Sequence, residues 1–296
     1  MSLTTSARRT ATATHRTAST TSNAAHGQHL DSPVLVAKDL SVTYENGHTA
    51  LSDFTLDVRP GEVVALLGHS GSGKSTLMKA VTGLAPATAT QLSVDGTDIP
   101  GANAATLRAV RASTGYVFQH FNLVPQLSAL TNVLTGGLHS AGPLSRAGLF
   151  SRAQREQALA LLARVGLADK ASARADSLSG GQQQRVAIAR ALMQGPSLVL
   201  ADEPVASLDP RLAGSVLSLL RKIAHEDGIP VIVSLHVVDL ARRYADRFVA
   251  LDAGRITHAG PVASLTEDMV ADIYGSPEDD DAAAESQPHA GQEATA

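Results

Sequence analysis

Eight residues, Gly68-His69-Ser70-Gly71-Ser72-Gly73-Lys74-Ser75, have the types and spacing to grip a polyphosphate. They fit the pattern G-x-x-x-x-G-K-[ST]. Glycines let the backbone bend until several N–H groups point inward, and the N-terminus of the next helix adds its own attraction for anions. In this pattern Lys74 reaches the β- and γ-phosphates, and the Ser75 hydroxyl can ligate Mg²⁺. The plainer reading, a Gly/Ser-rich turn, is outweighed by context. The loop follows the apolar run Glu62–Leu67 and opens an expected helix over Lys74–Gly83, the strand–loop–helix setting that the motif demands.

Two further groups fit the same chemistry. Ser197-Leu198-Val199-Leu200-Ala201-Asp202-Glu203 ends an apolar run on two acids. Alone this is a strand leaving the core. Beside a phosphate loop it supplies the acid that Mg²⁺·nucleotide needs. Asp202 is then the direct or indirect Mg²⁺ partner, and Glu203 is placed to polarise an attacking water. Leu178-Ser179-Gly180-Gly181-Gln182-Gln183-Gln184-Arg185 precedes an amphipathic run containing Val186, Ile188, Ala189 and Leu192. Ser179 and the two glycines stand where a helix begins, which is either an ordinary N-cap or a second anion site.

The elements that must position these groups alternate. Val34–Lys38, Phe54–Val58 and Glu62–Leu67 read as strands, as do the later apolar runs Leu198–Ala201, Val231–Leu235 and Phe248–Leu251. Each later run follows a helical pattern, which argues for a mostly parallel sheet with helices packed on it. The segment from about 122 to 190 reads as mainly helical. One helix in it is marked by a Ser151/Gln154 capping box, an apolar stripe of Leu159, Leu162 and Val165, and a closing Gly166.

Composition removes several classes. The 296 residues contain no Cys, which excludes disulfides, cysteine-ligated metals and thiol catalysis. Aromatics are 3% with no Trp, and the formal charge is -4, so neither a base-stacking surface nor a basic nucleic-acid footprint is expected. No apolar run is long enough to span a membrane. Residues 1–32 hold 13 Ser or Thr, three Arg and one acid. They resemble a transit peptide in composition but read more simply as a disordered tail or an early start. Residues 276–296 hold six acids and no Lys or Arg, and are expected to be a disordered acidic tail. The body between the tails, 33–275, sums to zero charge.

The phosphate loop, then LSGGQQQR, then LVLADEP, in that order, resembles the ATP-binding subunit of an ABC transporter, over about residues 34–262. The resemblance implies an α/β fold with a P-loop NTPase (RecA-like) core and a mostly parallel sheet. It adds an N-terminal antiparallel β subdomain and a helical subdomain at about 122–190. It also implies roles for single residues. Tyr44 matches the aromatic that stacks on adenine, and Thr76 extends the phosphate-binding set. Gln119 matches the glutamine that senses Mg²⁺ and water and faces the membrane subunit. Asp209, in Ser207-Leu208-Asp209, matches a loop that crosses a dimer interface, and His236 matches the histidine on the γ-phosphate. His69 stands where the family often has Pro, Arg or Asn. The implied mechanism is a head-to-tail homodimer that sandwiches ATP and Mg²⁺ between the phosphate loop of one chain and Ser179, Gly180, Gly181 and Gln182 of the other.

Intervals narrow the family member. A single phosphate loop, a separation of 105 positions from Lys74 to Ser179 without heptads, and 60 residues after His236 point to a compact importer subunit. Such a subunit works at the cytoplasmic face of the cell membrane with separate permease subunits and, indirectly, a periplasmic or surface solute-binding protein. Thr114-Gly115-Tyr116-Val117-Phe118-Gln119-His120-Phe121-Asn122-Leu123-Val124, the Val205-Ala206-Ser207 form after Asp202-Glu203-Pro204, and Leu235-His236-Val237-Val238-Asp239 are similar to phosphonate importer ATPases. The expected cargo is a phosphonate or a related phosphorus oxyanion. The alternatives are a polar amino-acid importer and a soluble ATP switch.

Overall fold

The computed structural model describes residues 32–139, 145 and 148–275. The expected tails at 1–32 and 276–296 therefore fall, apart from Ser32, outside the described residues.

Two sheets organise the chain. The first is antiparallel: β1 (Leu35–Thr43), β2 (Thr49–Val58), β4 (Ala87–Thr88), β5 (Gln91–Val94) and β6 (Thr97–Asp98), in the order β2-β1-β5-β6 with β4 beside β1. The second contains β3 (Val63–Leu67), β7 (Thr114–Val117), β8 (Leu198–Ala201), β9 (Val231–Ser234), β10 (Arg247–Asp252) and β11 (Arg255–Pro261), in the order β11-β10-β3-β9-β8-β7. From β10 to β7 its neighbours are parallel, and β11 closes the edge antiparallel.

The central strands are apolar because both of their faces are covered. In β3, Val64 and Leu66 enter the core beneath the antiparallel sheet, while Val63, Ala65 and Leu67 enter the core on the opposite face. β8 divides in the same way, with Leu198 and Leu200 on one face and Val199 and Ala201 on the other. The opposite face is covered by α6 (Pro210–Asp227), through Val216, Leu217, Leu220 and Ile223. A third core joins α3 (Ala129–Gly136), α4 (Arg152–Arg164) and α5 (Gly180–Leu192) through Val133, Leu162 and Val186.

Several sequence boundaries are corrected. β1 continues past Lys38 to Thr43, and β2 begins at Thr49, five residues before Phe54. Both strands pass through irregular register where Asp39 (φ 51°) and Asp53 (φ 51°) adopt left-handed backbone. Their amides donate across the pair, Asp39 to Thr55 Oγ1 and Asp53 to Ser41 Oγ. These bulges interrupt the two-residue alternation, so each strand looked shorter than it is. The helix after the phosphate loop, α1 (Lys74–Val81), stops two residues before Gly83. The Ser151/Gln154 capping box is present, but Leu159 is 42% exposed; the buried face of α4 is Ala158 and Leu162.

Candidate functional site: a phosphate cradle at the carboxyl ends of the parallel strands

Four sequence motifs meet at one edge of the second sheet. The phosphate loop follows β3, Gln119 follows β7, Asp202 and Glu203 follow β8, and His236 follows β9. In open α/β sheets ligands bind at this carboxyl edge, because loops diverge there and helix N-termini point toward it.

The loop's shape is set by backbone constraints. Gly73 (φ 111°) is one such point: a Cβ there would lie 2.8 Å from both Ala50 O and Leu51 Cδ2 of β2. Gly68 (φ 133°) is the other, where a Cβ would lie 2.2 Å from Leu251 O. The Gly254 amide donates to Ser72 O (3.1 Å), tying the loop to the β10–β11 turn.

The N-terminus of α1 has no side-chain cap. In contrast, Asn103, Ser128, Ser151, Ser179, Asp209 and Thr266 each cap their own helices through a side-chain oxygen. The first amides of α1 are thus open to an anion. Lys74 is 4% exposed. Its ammonium donates to Gly68 O (2.6 Å) and His69 O (2.7 Å). Burial lowers its pKa, against the opposing pull of Glu203 and Asp202. A buried cation facing neutral carbonyls is an unfinished arrangement that an anion would complete. Ser70, Gly71, Gly73, Lys74, Ser75, Thr76 and Glu203 line a hollow of about 120 Å³ there.

Asp202 gathers three hydroxyls. Ser75 Oγ (3.0 Å) and Ser234 Oγ (3.1 Å) donate to its Oδ1, and Tyr116 OH (3.2 Å) donates to its Oδ2. Burial, followed by the Asp202 charge and hydrogen bond, raises the Tyr116 pKa and keeps the phenol a donor. Ser234 also accepts from the Glu203 amide (2.7 Å), holding Glu203 in left-handed backbone (φ 47°). That conformation costs energy for a non-glycine residue and aims the Glu203 side chain into the site. His236 Nε2 lies 2.6 Å from Glu203 Oε1.

Among the described residues no group of three or more His, Cys, Asp and Glu could hold a metal. A divalent ion at Ser75 and Asp202 would take only a hydroxyl and one carboxylate from the chain. That donor set suits Mg²⁺, which completes its shell with water and nucleotide phosphate.

Other expected residues lie apart. Gln119 is half-buried in the coil after β7, and its side chain makes no hydrogen bond among the described residues. Its neighbourhood is fixed because the Asp202 amide donates to Val117 O (2.9 Å). Tyr44 lies just past the strand: β1 ends at Thr43, and Tyr44 opens the turn to β2, exchanging backbone bonds with His48 and Gly47. Ser179 is exposed and forms a capping box with Gln182. Gly180 and Gly181 leave room for Leu208 and Leu212, which a Cβ would meet at 3.4 and 3.0 Å. None of Ser179–Gln182 lines the phosphate hollow. Asp209 caps α6 through the Arg211 and Leu212 amides.

Three residues of this site escaped the sequence reading. Ser234 is a fully buried hydroxyl ending an apolar strand next to His236, a signal that was available. Tyr116 carries no local sign in the sequence of reaching Asp202. Tyr274 accepts from the Gly68 amide (3.1 Å) and meets the His69 ring edge-on at 5.3 Å. No sequence pattern joins residues so far apart.

The chain has many relatives. A family model described as ABC transporter matches residues 51–206. The phosphate-import ATP-binding protein PhnC of Mycolicibacterium smegmatis is 52% identical over 82% of this chain and 93% of that protein. The phosphonates import ATP-binding protein PhnC of Bdellovibrio bacteriovorus is 48% identical over 83% and 95%. Among solved structures, cbiO1 of Clostridium perfringens, part of the ABC transporter complex cbiONQ, has a TM-score of 0.71 at 28% identity, covering 82% of this chain and 94% of that one. The dimeric ATP-binding cassette MJ0796, in a post-hydrolysis state with ADP and Pi, has a TM-score of 0.67 at 33% identity, over 78% and 100%.

Proposed function

The chain belongs to the ABC transporter family, and we propose that it is the ATP-hydrolysing subunit of an importer for phosphonates or a related phosphorus oxyanion. The observation that carries this reading is one hollow at the end of an uncapped helix, lined by Lys74, Ser75 and Glu203, with Asp202 bonded to Ser75 and His236 to Glu203. The open amides and Lys74 bind the triphosphate. Ser75 and Asp202 would hold Mg²⁺, with Gln119 sensing it, and the ion would supply charge neutralisation on the phosphates. Glu203 orients and polarises the attacking water, and His236 holds the Glu203 carboxylate at 2.6 Å. Tyr44 supports the adenine.

The second half of the site comes from a partner copy in this reading. Ser179 is exposed at a helix start whose residues, Ser179–Gln182, do not line the chain's own hollow, as a head-to-tail dimer requires. The dimeric MJ0796 cassette supports such pairing. Asp209 stands near the same interface. Permease subunits would dock in a groove of about 400 Å³ whose wall includes Lys79, Leu84, Phe118 and Arg190. Leu84 is 62% exposed there and Phe118 38%. No described helix is long and apolar enough to cross a membrane, so the proposed place at the cytoplasmic face depends on that docking. A solute-binding protein would act through the permease alone. The domain reading follows: residues 33–275 are the ATP-binding domain, with a helical part near 122–190.

The cargo has two specific candidates, because the relatives divide between phosphate and phosphonate import. The nucleotide site touches neither molecule, so its geometry does not favour one. The test is uptake of labelled methylphosphonate by source cells carrying the unmodified chain or Glu203→Gln, with phosphate, phosphite and a polar amino acid as competitors. Methylphosphonate uptake lost in the variant supports the reading. Uptake unchanged, with phosphate uptake lost instead, keeps the ATPase and moves the cargo to phosphate.

A further inference from the structure

Asp202 is held unequally at its two oxygens. Oδ1 receives both Ser75 and Ser234, whereas Oδ2 receives only Tyr116 among the described residues. Tyr116 lies on β7, where it pairs in register with Leu200, two residues before Asp202. The other side of its ring stacks on Phe118, with centroids 4.3 Å apart and planes at 29°. Both rings line the groove of about 400 Å³ beside Leu84 and Arg190. Arg190 in turn donates to the backbone carbonyls of Phe121 (2.9 Å) and Asn122, both in left-handed backbone. The segment carrying Phe118 is therefore anchored at its far end, and the Phe118 ring is the exposed member of the pair.

We propose that Tyr116 is a positioning residue that joins this groove to the metal-holding carboxylate: its hydroxyl orients Asp202, and its ring is set by Phe118 in the groove wall. The inference rests on the reading of Asp202 as the metal-holding acid. Groups that orient a metal ligand without touching the metal commonly contribute about 10–100-fold to metal affinity. An occupant of the groove that displaces Phe118 would act on the metal site through one stacked ring and one hydrogen bond.

The test titrates Mn²⁺ by electron paramagnetic resonance into the full chain with a non-hydrolysable ATP analogue, and separately measures binding of the analogue in EDTA. Tyr116→Phe keeps the stack and removes the hydroxyl. It is expected to weaken Mn²⁺ about tenfold while leaving metal-free binding of the analogue unchanged. Phe118→Leu keeps the hydroxyl and removes the stack, and is expected to weaken Mn²⁺ about two- to threefold, the smaller effect because only the ring's orientation is lost. Equal Mn²⁺ affinity in Tyr116→Phe and the unmodified chain overturns the proposal. Loss of metal-free binding in Tyr116→Phe shows a general structural role and overturns it too, as does an effect confined to Phe118→Leu. Asp202→Asn separates the two readings: if it leaves Mn²⁺ binding intact, the metal assignment fails first, whatever Tyr116 does.

Discussion

The phosphate loop and the Ser179 helix start are both anion-attracting helix N-termini, yet they are finished to different degrees. At the loop, α1 lacks a side-chain cap, Lys74 is buried against carbonyls, and three hydroxyls already hold Asp202. At Ser179 the hydroxyl is engaged with its own helix, the residue is exposed, and among the described residues no charged group bonds to it. One site is prepared to bind a polyanion and the other is only able to complete one. Under the proposed function the chain is expected to bind nucleotide alone and to need a second copy to hydrolyse it.

Substitutions at the two places test that division. The largest effect is expected from Lys74→Ala: phosphate release falls to background, because the triphosphate loses its buried counter-charge. Turnover near that of the unmodified chain would remove the loop from the mechanism. Glu203→Gln comes next, slowing hydrolysis about 10²–10⁴-fold while ATP still binds. Size-exclusion chromatography with Mg·ATP should then show a trapped dimer, and a persistent monomer would contradict the sandwich. Ser179→Arg sharpens the comparison most directly. It should abolish hydrolysis but leave ATP affinity of the isolated chain within about twofold, since Ser179 lies outside that chain's own hollow. Mixing it with Lys74→Ala chains should restore partial turnover through one intact composite site; no recovery would sink head-to-tail pairing.

Smaller effects concern stability. Gly73→Ala is expected to destabilise the fold by about 1–3 kcal/mol, because a Cβ at φ 111° would press on Ala50 and Leu51. A thermal melt unchanged from the parent would show that the loop relaxes freely. Ser151→Ala removes a capping box that has no residue in the phosphate hollow and should lower stability by about 1 kcal/mol with hydrolysis unaltered.

The sequence made the core of the site readable where chemistry restricts residue type. A polyphosphate cradle needs glycines, a lysine and a hydroxyl in fixed order, and a strand buried on both faces must be apolar along its length, as β3 and β8 are. It was less informative where tertiary contacts decide. The bulges at Asp39 and Asp53 broke the alternation of β1 and β2, so half of each strand was missed. Leu159 fits a helical stripe by spacing alone, yet the face that packs is set by where α3 and α5 lie. Tyr116 and Ser234 belong to the site only because parallel strands bring 116, 202 and 234 side by side. No local pattern encodes that adjacency.

The hydrogen bond from the Gly68 amide to Tyr274 OH spans 206 positions of chain. At a synthesis rate of about 5–20 residues per second, the loop emerges from the ribosome roughly 10–40 s before its phenol partner does. For most of that interval the strand that launches the loop also lacks β9 and β10, its neighbours on either side. The phosphate loop is thus held by neighbours that are all made after it, and the last of them arrives with the last described helix.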